Sequence, residues 1–188
     1  MKRASLTRYI FIHCTAGYGD VASIERFWKN ELNWNGKGYT VIIGLKGEKW
    51  YLTKDKTYSL NPVDCDWSQI TNGVLGYNDI SISIAYIGGV KKDNYKIAFD
   101  SRTPEQKRAI EEVIYEALAW LAFNGKLIDR DLYILGHREA STDKNDNSTI
   151  ESWERIKDCP SYEAFKEHRW ILNTGLPLRK NGKLLKTK

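Results

Sequence analysis

Two of the three histidines in this 188-residue chain follow short apolar runs, and a cysteine stands far downstream of both. His13 follows Tyr-Ile-Phe-Ile, and His137 follows Leu-Tyr-Ile-Leu-Gly. Such runs are typical of buried strands, so each is expected to deliver an imidazole at the end of a strand. Cys159 stands in the polar sequence Lys-Asp-Cys-Pro-Ser, where a purely structural cysteine has little reason to be. Two imidazoles and one thiolate suit Zn²⁺ and leave a fourth position open to water.

Each of these residues also has a simpler interpretation. A single histidine after a strand is more often structural than a ligand, and His168 lies in a polar helical stretch. Cys14 should point away from His13 along a strand, so Cys14 and Cys65 are interpreted as small buried apolar residues. The pairing of two strand-end histidines with Cys159 is what favours a metal site.

The elements that must position these residues are outlined by their hydrophobic patterns. Strands are predicted at about residues 8–14, at 39–45 and 48–53 as a hairpin, at 80–87 and at 132–136. Helices are predicted from Asp20 to Leu32, from Thr103 to about Phe123 and from Tyr162 to Trp170. Because strands and helices are intermixed, the sequence predicts an α/β fold with a single central mixed β-sheet flanked by helices.

Length and charge limit the class of protein. We expect one domain over residues 1–172, followed by a basic tail, 173–188, that adds little packing and is partly disordered. The net charge of +5 favours a polyanionic partner such as nucleic acid, an anionic membrane or a cell wall, although a merely solvated tail explains it equally well. Three cysteines, an odd number, argue against a disulfide framework.

The sequence shows no apolar run long enough to span a bilayer, so no membrane insertion is expected. The N-terminal sequence Met-Lys-Arg-Ala-Ser-Leu-Thr-Arg lacks the apolar core of a secretory signal. We therefore expect cytoplasmic synthesis without a signal peptide. Nothing in the sequence requires more than a monomer.

Five motifs in order carry a resemblance to a known family. They are Ile-Phe-Ile-His13-Cys-Thr-Ala, Gly38-Tyr39 at the start of a hairpin, Gly-Tyr-Asn78 before an alternating strand, Gly-His137-Arg-Glu and Lys157-Asp-Cys159-Pro-Ser-Tyr. In this order they resemble the zinc-dependent N-acetylmuramoyl-L-alanine amidases, type 2, of the phage lysozyme and peptidoglycan-recognition-protein family. The resemblance covers roughly residues 8 to 170.

The resemblance implies a site and a reaction. His13, His137 and Cys159 would bind zinc, Tyr39 and Lys157 would be catalytic, and Asn78 would contact the substrate. The implied reaction is hydrolysis of the amide between N-acetylmuramic acid and L-alanine in peptidoglycan, by a phage or prophage endolysin that acts on the cell wall after release. The alternative is a non-catalytic peptidoglycan-binding recognition module. A basic nucleic-acid-binding protein rests on charge alone, so no nucleic-acid partner is expected.

Two departures from the family pattern concern substrate contacts. The family often has a histidine after the tyrosine of Gly-Tyr, where this chain has Thr40. A histidine frequent before Gly-Tyr-Asn is also absent, since the sequence there is Asn72-Gly-Val-Leu-Gly76.

The third departure is an insertion, because 22 positions separate His137 from Cys159. Within it, oxygen-bearing residues follow the spacing of an EF-hand loop. These residues are Asp143, Asn145, Asn147, Thr149 and Glu154. The spacing predicts a Ca²⁺ site, although Ser148 stands where such loops need glycine, and an Asn/Asp-rich surface turn is the alternative.

Overall fold

The computed structural model describes residues 3–126 and 131–186, and a six-stranded sheet lies at its centre. Its strands are β1 (Tyr9–Cys14), β2 (Val41–Ile43), β3 (Lys49–Leu52), β4 (Tyr58–Ser59), β5 (Ser81–Tyr86) and β6 (Tyr133–Gly136). They lie in the order β4-β3-β2-β5-β1-β6. β2, β5, β1 and β6 are parallel, whereas β3 and β4 pair in antiparallel fashion. The predicted central mixed sheet and the predicted hairpin are confirmed.

Within the part of the chain that the structure describes, four α-helices flank this sheet. They are α1 (Arg3–Leu6), α2 (Val21–Asn30), α3 (Pro104–Phe123) and α4 (Ala164–Leu172). α3 begins with the capping box that its sequence predicts: Thr103 Oγ1 accepts from the Gln106 backbone, and Gln106 Oε1 accepts from the Thr103 backbone, both at 3.1 Å. Among the described residues, no helix has both the length and the apolar character needed to cross a membrane.

The two faces of the sheet are covered differently. On one face, alternate residues of β1 and β5 such as Ile12 and Ile84 pack with Ile110 and Ile114 of α3, and all four are fully buried. On the opposite face, aromatic residues of β1 such as Phe11 pack under the segment that precedes β5. Because side chains alternate along a strand, His13 lies on the same face as Phe11.

The described residues of the tail pack against the domain, contrary to the prediction that the tail adds little packing. It forms a hairpin of β7 (Arg179–Lys180) and β8 (Lys183–Leu184). Leu184 is 3% exposed and belongs to the aromatic cluster of Phe11, and the Leu185 carbonyl accepts from the Tyr9 hydroxyl at 2.5 Å. The Arg179 guanidinium donates to three backbone carbonyls at 2.7–2.9 Å. Polar tail residues thus anchor to backbone groups, which a hydrophobic pattern does not reveal. Residues 187–188 of the predicted tail lie outside the described residues.

Candidate metal centre and active site

The two strand-end histidines meet because β1 and β6 are parallel neighbours in register. Ile12 pairs with Gly136, so His13 and His137 come next to each other at one edge of the sheet. Their ring centroids are 4.9 Å apart. Parallel pairing therefore converts two similar sequence motifs, distant along the chain, into one pair of imidazoles.

Cys159 completes the predicted ligand set. Its Sγ lies 3.7 Å from His13 Nδ1, and ligand atoms of His13, His137 and Cys159 all lie within 4.8 Å of one another. Zn–N and Zn–S bonds are about 2.0–2.3 Å long, so this spread is close to that of ligands sharing one ion. Nitrogen and sulfur are also the donors that zinc prefers, and the residues present therefore fit that metal.

Backbone contacts hold the cysteine segment at this edge. The Arg138 N–H donates to the Cys159 carbonyl at 2.8 Å, and the Tyr86 hydroxyl donates to the Pro160 carbonyl at 2.6 Å. The Cys14 N–H donates to Cys159 Sγ at 3.2 Å. A loop segment is thereby fixed to the ends of β1, β5 and β6, and its thiol is aimed at the histidines.

Electrostatics keep both imidazoles neutral, which is the form that binds metals. Burial lowers the pKa of His13 well below its usual value, and the neighbouring His137 and Lys157 add to this effect. Burial lowers the pKa of His137 to about 4, again with help from Lys157. Burial raises the pKa of the Cys159 thiol, whereas the Cys14 N–H and Lys157 favour its thiolate. A bound metal also favours the thiolate, because metal binding releases the thiol proton.

Tyr39 stands directly beside the ligand cluster. Its ring centroid is 5.0 Å from that of His13, and the indole of Trp28 packs edge-on against it at 5.4 Å. A Cβ atom at residue 38 would approach that indole to 2.6 Å, so Gly38 allows this packing. Burial raises the pKa of Tyr39 well above its usual value, so its hydroxyl remains a hydrogen-bond donor at neutral pH.

A cleft of about 520 Å³ opens over these residues. One wall is polar and consists of Tyr39, His137, Lys157 and Cys159. The other wall is apolar and comes from α2 and the turn after it, with Ile24, Phe27, Leu32 and Trp34. The structure thus brings both predicted catalytic residues to the predicted ligands, and adds apolar residues that line the same cleft.

The sequence interpretation missed this apolar wall and the role of Trp28. The helix from Asp20 to Leu32 was predicted without a part in the site, yet Phe27 is 51% exposed and lines the cleft, and Trp28, which is 5% exposed, packs against Tyr39. A signal was present, because Phe27 and Trp28 are consecutive and two consecutive residues of a helix do not share one face.

Asn78 has a structural contact rather than a place in the cleft. Its Oδ1 accepts from the Val74 N–H at 2.8 Å and closes the loop that precedes β5. The described residues that line the cleft include Asn72 and Gly73 of this loop, but not Asn78. A direct contact between Asn78 and a substrate therefore has no support in this geometry.

The predicted calcium loop is closed by its own backbone. Both carboxylate oxygens of Asp143 accept from N–H groups, of Asn147 at 3.3 Å and Ser148 at 2.7 Å. Glu154 accepts from the N–H groups of Lys144 and Glu151. The remaining predicted ligands, Asn145, Asn147 and Thr149, join the same network through loop atoms and Glu151. Calcium is thus unsupported, because backbone donors explain the spacing of the oxygens.

Comparison with known proteins places this chain in a family. The profile of the N-acetylmuramoyl-L-alanine amidase family matches residues 3–149, most of the chain. The chain belongs to this amidase family. It is also 31% identical over 114 residues to the endolysin of Enterobacteria phage K11, a match that covers 58% of this chain. The matched segment spans 66% of that endolysin, just under two thirds of its length.

Solved structures show the amidase-family fold over nearly the whole chain. The N-acetylmuramoyl-L-alanine amidase LysC from Clostridium intestinale URNW has a TM-score of 0.57 at 15% identity, covering 92% of this chain and 89% of LysC. Drosophila PGRP-LB has a TM-score of 0.55 at 20% identity, covering 93% of this chain and 86% of PGRP-LB. At these identities the similarity concerns the fold alone.

The family match does not by itself account for the whole site. It includes His13, Tyr39 and His137 but ends at residue 149, before Lys157 and Cys159. The fold of this amidase-family chain brings those last two residues to the cluster, across the inserted loop.

Proposed function

We propose that this protein is a zinc-dependent peptidoglycan hydrolase that cleaves the amide between N-acetylmuramic acid and L-alanine, and that it acts as an endolysin. The observation that carries the proposal is the convergence of His13, His137 and Cys159 beside a cleft that His137 and Cys159 line together with Tyr39 and Lys157. The family match and the similarity to a phage endolysin support it.

The three ligands suit a catalytic rather than a purely structural zinc. Structural zinc sites are usually closed by four protein ligands, whereas catalytic sites use three and keep one position for water or substrate. Among the described residues, the cluster of metal-binding side chains contains these three, and Cys159 and His137 also line the cleft. Bound zinc would supply polarisation of a carbonyl and a lowered pKa of water, from about 15.7 toward about 7.

Tyr39 and Lys157 would act on the substrate from the polar wall. The Tyr39 hydroxyl, kept protonated by burial, would donate to the scissile carbonyl oxygen as negative charge develops there. The Lys157 ammonium would stabilise the same charge or give a proton to the departing nitrogen of L-alanine. One water is consumed, and the products are the lactyl carboxylate of muramic acid and the free amino group of L-alanine.

The apolar wall would hold the part of the substrate that does not react. Phe27 and Trp34 line the same cleft as the polar residues, and its volume of about 520 Å³ leaves room for a ligand. Aromatic side chains provide flat apolar surface on which the C–H face of a sugar ring can lie. Two further expectations remain predictions: that the protein works as a monomer, and that it reaches the bacterial cell wall after its release from the cytoplasm.

Mass spectrometry of products from a defined muropeptide tests the proposal. We expect a peptide with a free L-alanine amino terminus, loss of activity in a chelator and recovery with added zinc. Cleavage within the glycan strand or between peptide residues would contradict the proposed reaction. Binding of peptidoglycan with no product would instead indicate the recognition module.

A further inference from the structure

The second nitrogen of the His13 ring is not the one that lies next to Cys159. Nδ1 is the nitrogen near Cys159 Sγ, at 3.7 Å. Nε2 is buried and has no hydrogen-bond partner among the described residues. The side chain is only 1% exposed, so bulk water does not supply that partner. Histidines that bind metals almost always donate their other N–H to a specific acceptor, which fixes the tautomer and the ring orientation.

Ser83 offers an acceptor on the adjoining strand. In β5, Ser83 pairs with Phe11 of β1, and these residues lie on the same face of the sheet as His13. Ser83 is fully buried, and its hydroxyl also lacks a partner among the described residues. A buried ring nitrogen that can donate a hydrogen bond and a buried hydroxyl that can accept one therefore lie on neighbouring strands.

Gly73 lets these two groups come close together. A Cβ atom at residue 73 would collide with Ser83 Oγ and would lie 3.1 Å from His13 Nε2. The Ser83 hydroxyl therefore occupies the volume that a side chain at residue 73 would take, and it lies near the imidazole. Gly73 also lines the cleft, so both groups adjoin a region open to water.

A third buried polar group lies on the same face. The Thr40 N–H donates to the Ser83 carbonyl at 2.7 Å, which sets Thr40, the residue just before β2, beside Ser83 of β5. Thr40 is fully buried, and its Oγ1 has no partner among the described residues. Buried waters typically make about three hydrogen bonds to otherwise unpaired groups of this kind.

We infer that Ser83, through a water molecule held beside Gly73, accepts the Nε2–H of His13 and so orients the imidazole for metal binding. Ser83 is thus a positioning residue, and Thr40 supplies the third contact of the water. The inference rests on the proposed function, because it assigns to His13 Nδ1 the role of zinc ligand. With the proton fixed on Nε2, the Nδ1 lone pair is available to the metal.

The variant Ser83→Ala tests the inference, and Ser81→Ala is its matched control. Ser81 lies on the same strand and face, is 1% exposed, and also has a hydroxyl without a partner among the described residues. Its pairing partner Tyr9 is four residues from His13 along β1, whereas Phe11, the pairing partner of Ser83, is two residues from His13. We expect Ser83→Ala to bind zinc about tenfold more weakly in competition with a chelator. Ser81→Ala should keep the affinity of the unsubstituted protein.

A spectroscopic measurement distinguishes orientation from general loosening. In metal-free protein, nitrogen-15 spectra of the imidazoles should show His13 protonated at Nε2 in the unsubstituted chain and in Ser81→Ala, but a mixture of tautomers in Ser83→Ala.

Equal zinc affinities and equal tautomers in the two serine variants would overturn the inference. Failure of the unsubstituted protein to bind zinc, or to release the expected products, would instead contradict the proposed function. The tautomer measurement needs no metal and therefore still decides the role of Ser83.

Discussion

Two regions of this molecule have the side chains of a metal site, and they differ in what already occupies those side chains. At the sheet edge, His13, His137 and Cys159 come from three distant segments and lie within 4.8 Å of one another. In the loop from Asp143 to Glu154, the carboxylates come from one segment and accept hydrogen bonds from its own N–H groups. A group of suitable side chains therefore indicates a metal site only where their ligand atoms do not already accept hydrogen bonds from backbone N–H groups.

The largest expected effect is that of Cys159→Ser. Loss of the sulfur ligand should abolish zinc binding and lower hydrolysis at least about a thousandfold, since the lowering of the water pKa from about 15.7 toward about 7 is lost. Zinc content and the rate of product release measure it. Cys65→Ser is the control, because Cys65 packs at the edge of the core and does not belong to the cluster. If Cys65→Ser lost as much zinc and activity as Cys159→Ser, the assignment of the metal site to the sheet edge would be wrong.

Tyr39→Phe should separate catalysis from metal binding. The ring and its contact with Trp28 remain, and only the hydroxyl is lost. We expect kcat to fall about 100-fold or more, the effect of removing one donor to a developing oxyanion, with unchanged zinc affinity. Tyr51→Phe, which removes a hydroxyl bonded to Glu116 outside the cleft, should retain activity. A weaker zinc affinity in Tyr39→Phe would show that its hydroxyl supports the metal site instead.

In the loop, Asp143→Asn should lower stability without changing zinc binding. Asp143 is 3% exposed, and an amide NH₂ would replace one of the two oxygens that accept backbone N–H groups. The expected loss in free energy of unfolding is about 2 kcal/mol, measured by urea denaturation. Asp146→Asn, at an exposed position of the same loop, should change little, since asparagine also tolerates its φ of 60°.

The same loop should not respond to calcium. Titration with millimolar Ca²⁺ should leave the melting temperature of the unsubstituted protein unchanged, because the carboxylates already have donors. A rise in melting temperature that Asp143→Asn abolishes would show that the ion displaces those donors, and the contrast between the two regions would fail.

The third histidine is expected to affect stability only as the pH falls. His168 is fully buried and its Nε2 lies 2.9 Å from the Tyr162 hydroxyl. Burial lowers its pKa from 6.5 to about 4. Between these values the unfolded chain binds more protons, so folding stability falls as pH falls from about 6.5 toward 4. Glutamine in His168→Gln does not titrate. The slope of its free energy of unfolding against pH should therefore be smaller than that of the unsubstituted protein, by about 1.4 kcal/mol per pH unit. Parallel slopes in urea denaturation of the two metal-free proteins at several pH values would contradict this.

Much of the fold could be predicted from local patterns. The capping box at Thr103 specified the start of α3, and strict alternation specified β5, because these signals depend on neighbouring residues only. The packing of the tail could not be predicted. Leu184 is buried in one cluster with Tyr133 of β6 and with Tyr9 and Phe11 of β1. The two residues of β1 lie more than a hundred positions before it in the chain. A two-residue strand has too few residues to show a period.

The candidate site was predicted in part, for a related reason. His13, His137 and Cys159 each end or follow a recognisable motif, and the family resemblance joined them with Tyr39 and Lys157. The roles of Trp28 and Gly73 were missed because they depend on tertiary contacts. Trp28 packs against Tyr39, and the missing side chain of Gly73 allows the close approach of Ser83 and His13. The calcium prediction used the spacing of oxygens, which backbone donors and a metal ion can satisfy equally well.

The sequence by itself determined which residue types are present, the strands and helices that carry them, and the family to which their order points. Tertiary structure decided which of them meet. Parallel pairing of β1 with β6 set two imidazoles side by side, and contacts to Cys159 and Pro160 brought a loop sulfur to them. Local propensity acts over a few residues, whereas ligand geometry depends on strand register and on the hydrogen bonds of distant segments, which only the folded chain provides.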